Sequence, residues 1–476
     1  MTRIAPSRRV KMTVACACAL AAAFTATQLM PAATAEARPS QFTIFEATRE
    51  LRSHDPAMRA RTFGEIERFG VRWIRVVMYW NDVAPQPNSR SRPQFDATDP
   101  RSYDWTVYER IVAEAKARGI RVMLTPSGPV PRWATLTGGH VAYPSATRFR
   151  RFMTAAGRQF GSRVKYWSIW NEPNHPEFLA PQYRRKRAYS PRLYRKLFWA
   201  AHTALKRTGN RRDRLIMGET APRGNRNVVH PLKFLRGALC LNRRYKKRRG
   251  CHKLPADGFA HHPYTTRSGP FFVSRRRDDV TIGSLGRLTR ALDRAARARA
   301  VRRRMPIYLT EFGIQSRPDP HYGVTWTRQA EYRAIGERIA FRNRRVRAFS
   351  QYLMRDDTPR KGRDRFGGFE SGLRTSRGRK KHAYRGFRLP MVARRNGRRV
   401  WLWGLVRPHD GRERVQIQYR NRRSRKWRHL KTDRTGRRGY WSTKTRYRKG
   451  RSYRVRWRAP HGTRYSGSRT RPIRWR

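Results

Sequence analysis

Tyr166-Trp167-Ser168-Ile169-Trp170-Asn171-Glu172-Pro173-Asn174 and Ile307-Tyr308-Leu309-Thr310-Glu311-Phe312-Gly313 are the two stretches whose reading decides the fold. Each is a short apolar run that ends in a glutamate. Apolar runs of this length read as strands buried on both faces, which is the habit of parallel sheets. The two glutamates lie 139 residues apart, leaving room for further strand–helix units between them.

Outward from these anchors the same rhythm repeats. Strands are expected at Gln41–Phe45, Val71–Tyr79, Ile120–Thr125, Val164–Trp170, Leu215–Gly218, Gly258–His262, Ile307–Thr310 and Val346–Leu353. Helices are expected between them, at Pro56–Phe69, Tyr108–Arg118, Phe149–Phe160, Pro191–Thr208, Ile282–Ala300 and Gln329–Ala340. In the first of these, Phe63, Ile66 and Phe69 share one face. Strands alternating with helices in this way predict an α/β fold, a (β/α)8 TIM barrel over residues 36–389. A doubly wound sheet is the structural alternative, but the early glycine-rich phosphate turn that marks one is missing from the sequence.

After Leu389 the texture changes. Val400-Trp401-Leu402-Trp403, Val415-Gln416-Ile417-Gln418-Tyr419 and Tyr453-Arg454-Val455-Arg456-Trp457 alternate strictly, with turn residues between them. That is the pattern of a small all-β sandwich over residues 390–476. From Met391 to Arg476 it holds 30 Lys or Arg against three acids. It either binds a carbohydrate or anionic polymer or packs against the barrel.

At the other end, Arg3, Arg8, Arg9 and Lys11 precede an apolar segment from Met12 to Phe24, and Ala33-Thr34-Ala35 offers small residues for cleavage. Residues 1–35 therefore read as a secretory signal peptide, with no transmembrane segment after its removal and a secreted, extracellular product. Cys240 and Cys251 remain after cleavage, and their spacing suits a disulfide in an oxidising compartment. No cysteine or histidine spacing suggests a structural metal site.

The chain carries 111 Lys and Arg against 31 Asp and Glu, a formal net charge of +80. Such a charge raises a nucleic-acid reading. The arginines, however, are spread over helix faces and loops alike, and no helix-turn-helix, zinc finger or RNA-binding signature accompanies them, so no specific nucleic acid is expected. Solvated faces rich in arginine are the plain account. An anionic cell-wall polymer held by the basic surface stands as a second partner beside an oligo- or polysaccharide substrate.

Paired carboxylates on the rim of a parallel barrel are the apparatus for glycosidic-bond cleavage: one carries a proton to the leaving oxygen and the other attacks or positions water. Here the sequence resembles glycoside hydrolase clan A, the retaining (β/α)8-barrel hydrolases, and within it family 5 cellulase-like or family 39-like members. Trp170-Asn171-Glu172-Pro173-Asn174 is similar to the clan's strand-four motif, and Thr310-Glu311-Phe312-Gly313 to its strand-seven motif. The resemblance implies Glu172 as general acid/base, Glu311 as nucleophile and Asn171 as a ligand of the sugar 2-hydroxyl. Arg75 resembles the strand-two arginine that keeps the nucleophile ionised. Phe259-Ala260-His261-His262-Pro263-Tyr264 resembles the strand-six segment, with His262 lining the site and Tyr264 hydrogen-bonded to the nucleophile. Clan members often end strand eight in tryptophan. Here Ser350-Gln351-Tyr352-Leu353 stands there, and Tyr352 or Gln351 takes its place. The resemblance implies retention of a β-like linkage, a double-displacement mechanism and no cofactor or metal.

The competing readings are specific. Glu172 and Glu311 could be strand-end partners of arginine, and His262 a hydrogen-bonded core histidine. His261 should face away from the site. Trp80, Trp133 and Trp326 follow strand ends and read equally as sugar platforms or loop packing. Glu46, Asp82 and Glu219 read as subsite groups or as ion pairs with arginine. A cationic wall-binding protein on an inactive barrel is the functional alternative.

Overall fold

The computed structural model describes residues 41–362 and 365–475. The proposed signal segment, with Cys16 and Cys18, lies outside the described residues. Eight parallel strands close into a barrel: β1 (Phe42–Glu46), β2 (Trp73–Tyr79), β3 (Arg121–Ser127), β4 (Tyr166–Ser168), β5 (Arg214–Thr220), β6 (Gly258–His261), β7 (Ile307–Leu309) and β8 (Val346–Tyr352). Each pairs with its sequence neighbours, and β1 closes the ring against β8, with Phe42 opposite Ala348 and Glu46 opposite Tyr352.

The helices that return the chain are α1 (Pro56–Arg68), α2 (Thr106–Ala117), α3 (Ala146–Phe160), α4 (Ser190–Arg207), α5 (Pro231–Ala238), α6 (Gly286–Arg297), α7 (Trp326–Arg342) and α8 (His382–Arg388). Their starts are written in the sequence. Asp55 caps α1 by accepting from the Ala57 N–H, and Ser145 and Thr325 cap α3 and α7 by accepting from Arg148 and Arg328. Each buries an apolar stripe on the strands. Leu193, Tyr194, Leu197, Phe198, Ala201 and Leu205 form that of α4.

Strand alternation divides the barrel interior into layers. Phe42, Trp73, Tyr166 and Tyr308 meet as a ring of aromatics, with Phe42 stacked on Trp73 at 4.6 Å and Tyr166 edge-on to Trp73 at 4.7 Å. Ile44, Met123, Ile216, Ala260 and Ala348 belong to the same buried cluster. Two residues further along β1 and β2 the inward positions become Glu46 and Arg75. The interior is a packed core, and the polar groups stand at its C-terminal end.

The strands after the barrel are β9 (Met391–Asn396), β10 (Arg399–Leu405), β11 (Arg414–Arg420), β12 (Arg428–Arg434), β13 (Tyr440–Arg446), β14 (Ser452–Arg458), β15 (Arg464–Ser466) and β16 (Ile473–Arg474). They form two four-stranded, mainly antiparallel sheets, ordered β13-β10-β9-β16 and β12-β11-β14-β15. Val400, Leu402, Val415, Ile417, Tyr453, Val455 and Trp457 bury their common core. The first sheet packs on α7: Val392 and Trp403 meet Ala334, Ile335 and Phe341. Arg407, buried at the end of this contact, pairs with Glu337 on α7 and donates to the Phe387 carbonyl at 2.7 Å. No helix among the described residues is long and apolar enough to cross a membrane.

Candidate active site

Arg75 is the hub of the C-terminal rim. It has no exposed surface. Its Nη1 donates to Glu311 Oε1 at 2.7 Å and to Glu46 Oε2, its Nη2 to Asn171 Oδ1 at 2.6 Å, and its Nε to Glu219 Oε1 at 3.1 Å. Nη2 also reaches Glu219 Oε2, so that pair is bidentate. A guanidinium suits this position because its planar fork offers five donors in fixed directions. Burial opposes its charge, but Glu219, Glu46 and Glu311 outweigh burial and hold it well above the ordinary arginine range.

Glu219 reaches Arg75 through a local irregularity. Gly218 pairs with Ala260 and Thr220 with His261, leaving Glu219 as the extra residue of a bulge with φ +49°. Burial again disfavours its ionised form, but Arg75 and His262 overcome it and lower its pKa to about 2. Glu46 has the opposite balance. Burial is its largest influence, Arg75 only partly offsets it, and repulsion from Glu311 adds to it, so its pKa rises to about 7.

The two motif glutamates face each other above this layer. Glu311 follows β7, with Oε1 on Arg75 and Oε2 accepting from the Tyr264 hydroxyl at 2.9 Å. Glu172 follows β4 on a left-handed turn, with φ +73° at Trp170 and +35° at Glu172. Its Oε1 lies 2.8 Å from His262 Nδ1. The Glu172 side chain is 16% exposed and that of Glu311 9%, so Glu172 is the more open of the two. Asn171 is fixed from below, its N–H donating to Ser127 Oγ at 3.0 Å and its Oδ1 taken by Arg75. That leaves the Asn171 amide NH2 as a donor at the rim.

His262 stands among three carboxylates: Nδ1 is 2.8 Å from Glu172 and 3.6 Å from Glu311, and Nε2 is 3.7 Å from Glu219. Burial alone would keep it neutral, but these carboxylates raise its pKa to about 10. Ligand atoms of Glu172, His262 and Glu311 lie within 4.8 Å of one another, a spacing that could hold a metal ion. A protonated imidazole has no lone pair to give, so the His262 proton competes directly with any such ion.

Most sequence-selected residues therefore converge: Arg75, Asn171, Glu172, His262, Tyr264 and Glu311 form one hydrogen-bonded cluster. Tyr352 ends β8 beside it, its ring edge-on to Tyr264 at 6.0 Å. Gln351 instead turns away and accepts from Arg333 on α7 at 2.8 Å. His261 faces outward, between Thr220 Oγ1 and the Val280 carbonyl at 2.8 Å each, and burial lowers its pKa to about 3. Glu46 and Glu219 are partners of Arg75, and Asp82 pairs with Arg52.

Trp80 is a correction. The chain turns from β2 straight into a short helix, Trp80–Val83, which swings the indole under the rim. There it has no exposed surface and stacks on Phe152 at 5.0 Å, so it offers no sugar platform. Trp133 is buried edge-on against it at 6.0 Å. The Trp326 ring is covered by Arg379 at 4.4 Å. Sequence reasoning missed Phe369, whose ring meets Tyr352 at 5.1 Å and Tyr264 at 5.8 Å. It comes from the irregular loop after β8, where no periodicity marks it.

Cys240 and Cys251 are joined by a disulfide, with Cα atoms 6.3 Å apart.

No protein-family model and no curated protein sequence matches the chain. Among solved structures it is similar to a monomeric β-xylosidase from Caulobacter crescentus CB15, at 15% identity over 87% of this chain and 95% of that one, with a TM-score of 0.52. It is also similar to a glucosidase from Croceicoccus marinus, at 12% identity over 88% and 95% of the two chains, again with a TM-score of 0.52. These likenesses establish a shared architecture: the chain has the fold of the TIM-barrel glycosidases.

Proposed function

We propose that the protein is a retaining glycoside hydrolase acting on a β-linked glycan. One observation carries this reading. An oxygen of Glu172 and one of Glu311 lie within 4.8 Å of each other at the rim, which agrees with the close approach of about 5 Å typical of retaining pairs. Their surroundings differ in partners and in exposure. Glu311, anchored by Arg75 and Tyr264, attacks the anomeric carbon and forms a glycosyl-enzyme as the glycosidic oxygen departs. Glu172, the more open group, gives that oxygen its proton. It then takes a proton from water, whose oxygen displaces Glu311 and releases the sugar. The Asn171 amide donates to a sugar hydroxyl beside the reacting carbon.

Residues 36–389 serve as the catalytic unit and 390–476 as an accessory unit seated on α7. The segment 1–35 directs export, which agrees with a disulfide at Cys240–Cys251.

The test is a panel of aryl β-xylosides, β-glucosides and β-glycans, with Glu172→Gln and Glu311→Gln beside the parent. Release of one sugar with retained anomeric configuration, reduced at least about a thousandfold in each variant, supports the reading. A folded parent silent on the whole panel defeats it in favour of a wall-binding protein on an inactive barrel.

A further inference from the structure

Between α3, α4 and the loop closed by Cys240–Cys251 lies a cleft of about 660 Å³, and none of the rim residues described above lines it. Its volume falls in the range of small-ligand sites. Arg192, Lys196, Trp199 and Thr203 follow one another at spacings of three or four residues, so α4 presents them on a single face. Thr147 and Arg150 of α3 face them, and Arg248 comes from the disulfide loop. No acidic side chain is among the described residues that line the cleft. Arg150, Arg192, Lys196 and Arg248 have no carboxylate partner among the described residues, and Arg195 donates to the Ala238 and His252 carbonyls.

An excess of unpaired arginine is general in this chain and by itself singles out nothing. Trp199 does. Elsewhere the half-buried and exposed tryptophans among the described residues have a cation laid over the ring: Arg379 over Trp326 at 4.4 Å, Arg454 over Trp427 at 4.4 Å, Arg394 over Trp475 at 5.7 Å and Lys444 over Trp401 at 6.0 Å. Trp199 is half-buried and shares the cleft with Arg150, Arg192 and Lys196, yet among the described residues no cation stacks on it. Among the described residues its one ring contact is with His202, near-perpendicular at 5.5 Å. Stacking of a neighbouring arginine on an indole is favourable, so an uncovered ring in so basic a setting is a distinct arrangement.

We infer that this cleft binds an acidic sugar unit of the uronate class, with the sugar's apolar face on Trp199 and its carboxylate among Arg150, Arg192 and Lys196. Thr147 and Thr203 supply neutral hydroxyls for those of the sugar. A single platform fits one or two sugar rings. A strand of nucleic acid is held instead by successive aromatics along a groove, and the lining residues include only one. The site acts independently of turnover, so its fate does not depend on the hydrolase assignment.

The test is calorimetric titration of the full chain in a Glu311→Gln background with a trigalacturonate, at about 0.15 M salt so that long-range attraction is screened. A neutral trisaccharide and a trinucleotide of thymidylate serve as comparisons. Saturable binding of the uronate is expected. It should weaken about tenfold or more in Trp199→Ala, persist in Trp199→Phe, and weaken with a shallower salt dependence in Arg192→Gln/Lys196→Gln. Thermal unfolding of each variant confirms that it remains folded. Equal binding by Trp199→Ala and the parent overturns the inference, as does no saturable binding of the uronate. Tighter, equally Trp199-dependent binding of the thymidylate overturns it in favour of a nucleic-acid site.

Discussion

His262 Nδ1 lies 2.8 Å from Glu172 Oε1, with Glu311 and Glu219 the next carboxylates around the ring at 3.6 Å and 3.7 Å. With its pKa raised from 6.5 to about 10, native His262 keeps a proton that the unfolded chain gives up earlier. The stabilisation this brings is complete below about pH 6.5, shrinks as pH rises and is gone once pH passes about 10. Thermal unfolding of the parent and His262→Asn across that range should show the gap between them closing. Parallel curves would mean that the imidazole is not held as a cation.

Glu46 gives a second pH window. Its native pKa of about 7 lies above the ordinary 4.5, so folding takes up a proton in between. Stability from this group is full below about pH 4.5 and is lost as pH climbs through about 7. Above that pH an additional negative charge sits beside Arg75, in competition with Glu311 for Nη1. Glu46→Gln mimics the protonated form, so its stability relative to the parent should rise between about pH 4.5 and 7. Its pH–rate profile should lack any inflection near 7 that the parent shows. An unchanged parent-minus-variant difference over that range counts against this assignment.

The consequences of removing Arg75 follow from its burial. Arg75→Met leaves Glu46, Glu219 and Glu311 without their shared cation, and breaking a buried pair of this kind costs about 3–5 kcal/mol. Arg75→Lys keeps the charge but loses the fork, and should recover only part of the loss. Denaturant unfolding measures both. A full recovery with lysine would show that charge alone matters at this position.

Tyr264 tests the environment of Glu311 without disturbing the ion cluster. A hydrogen bond to a charged group contributes about 1.5–3 kcal/mol. If its loss is felt in the transition state, Tyr264→Phe lowers kcat by about tenfold to a hundredfold. Its melting temperature should stay close to the parent's. A variant with parental kcat would assign Tyr264 to packing against Tyr352 and Phe369.

What the sequence discloses and what it hides have physical causes. The barrel strands are legible because strands covered on both faces must be apolar throughout, and their ends are marked by the first polar residues. The helices α5 and α8 are missed because each has only about two turns, too few to display a stripe. Strand β12, Arg-His-Leu-Lys-Thr-Asp-Arg, is hidden because it is an edge strand with little burial on either face. In the site, Arg75 and His262 were legible through their resemblance to the clan's strand-two and strand-six segments, while alternation placed only the outward His261. Glu219 could not be assigned, because a bulge decides its direction, and the role of Trp80 could not be settled, because a short helix directly after β2 decides that its ring is buried.

Arg407 shows how the C-terminal sheets are tied to the barrel. It pairs with Glu337, donates to Thr43 Oγ1 of β1 at 3.1 Å, and shares Glu337 with Arg333, whose Nε holds Gln351 at 2.8 Å. Gln351 in turn donates to the carbonyls of Tyr352 and Ser371, at 3.2 Å and 3.3 Å. The chain of contacts thus runs from the β10–β11 connection to the strand that carries Tyr352. Arg407→Ala removes one side of a buried ion pair and should cost about 3–5 kcal/mol. Because Arg333 still faces Glu337, the damage should concentrate at the contact between the sheets and α7. Hydrogen exchange is expected to accelerate in β9 and along α7 before it does in β3 and β4. Exchange that rises uniformly, or an unchanged unfolding midpoint, would show that the apolar contacts of Val392 and Trp403 suffice to hold the sheets in place.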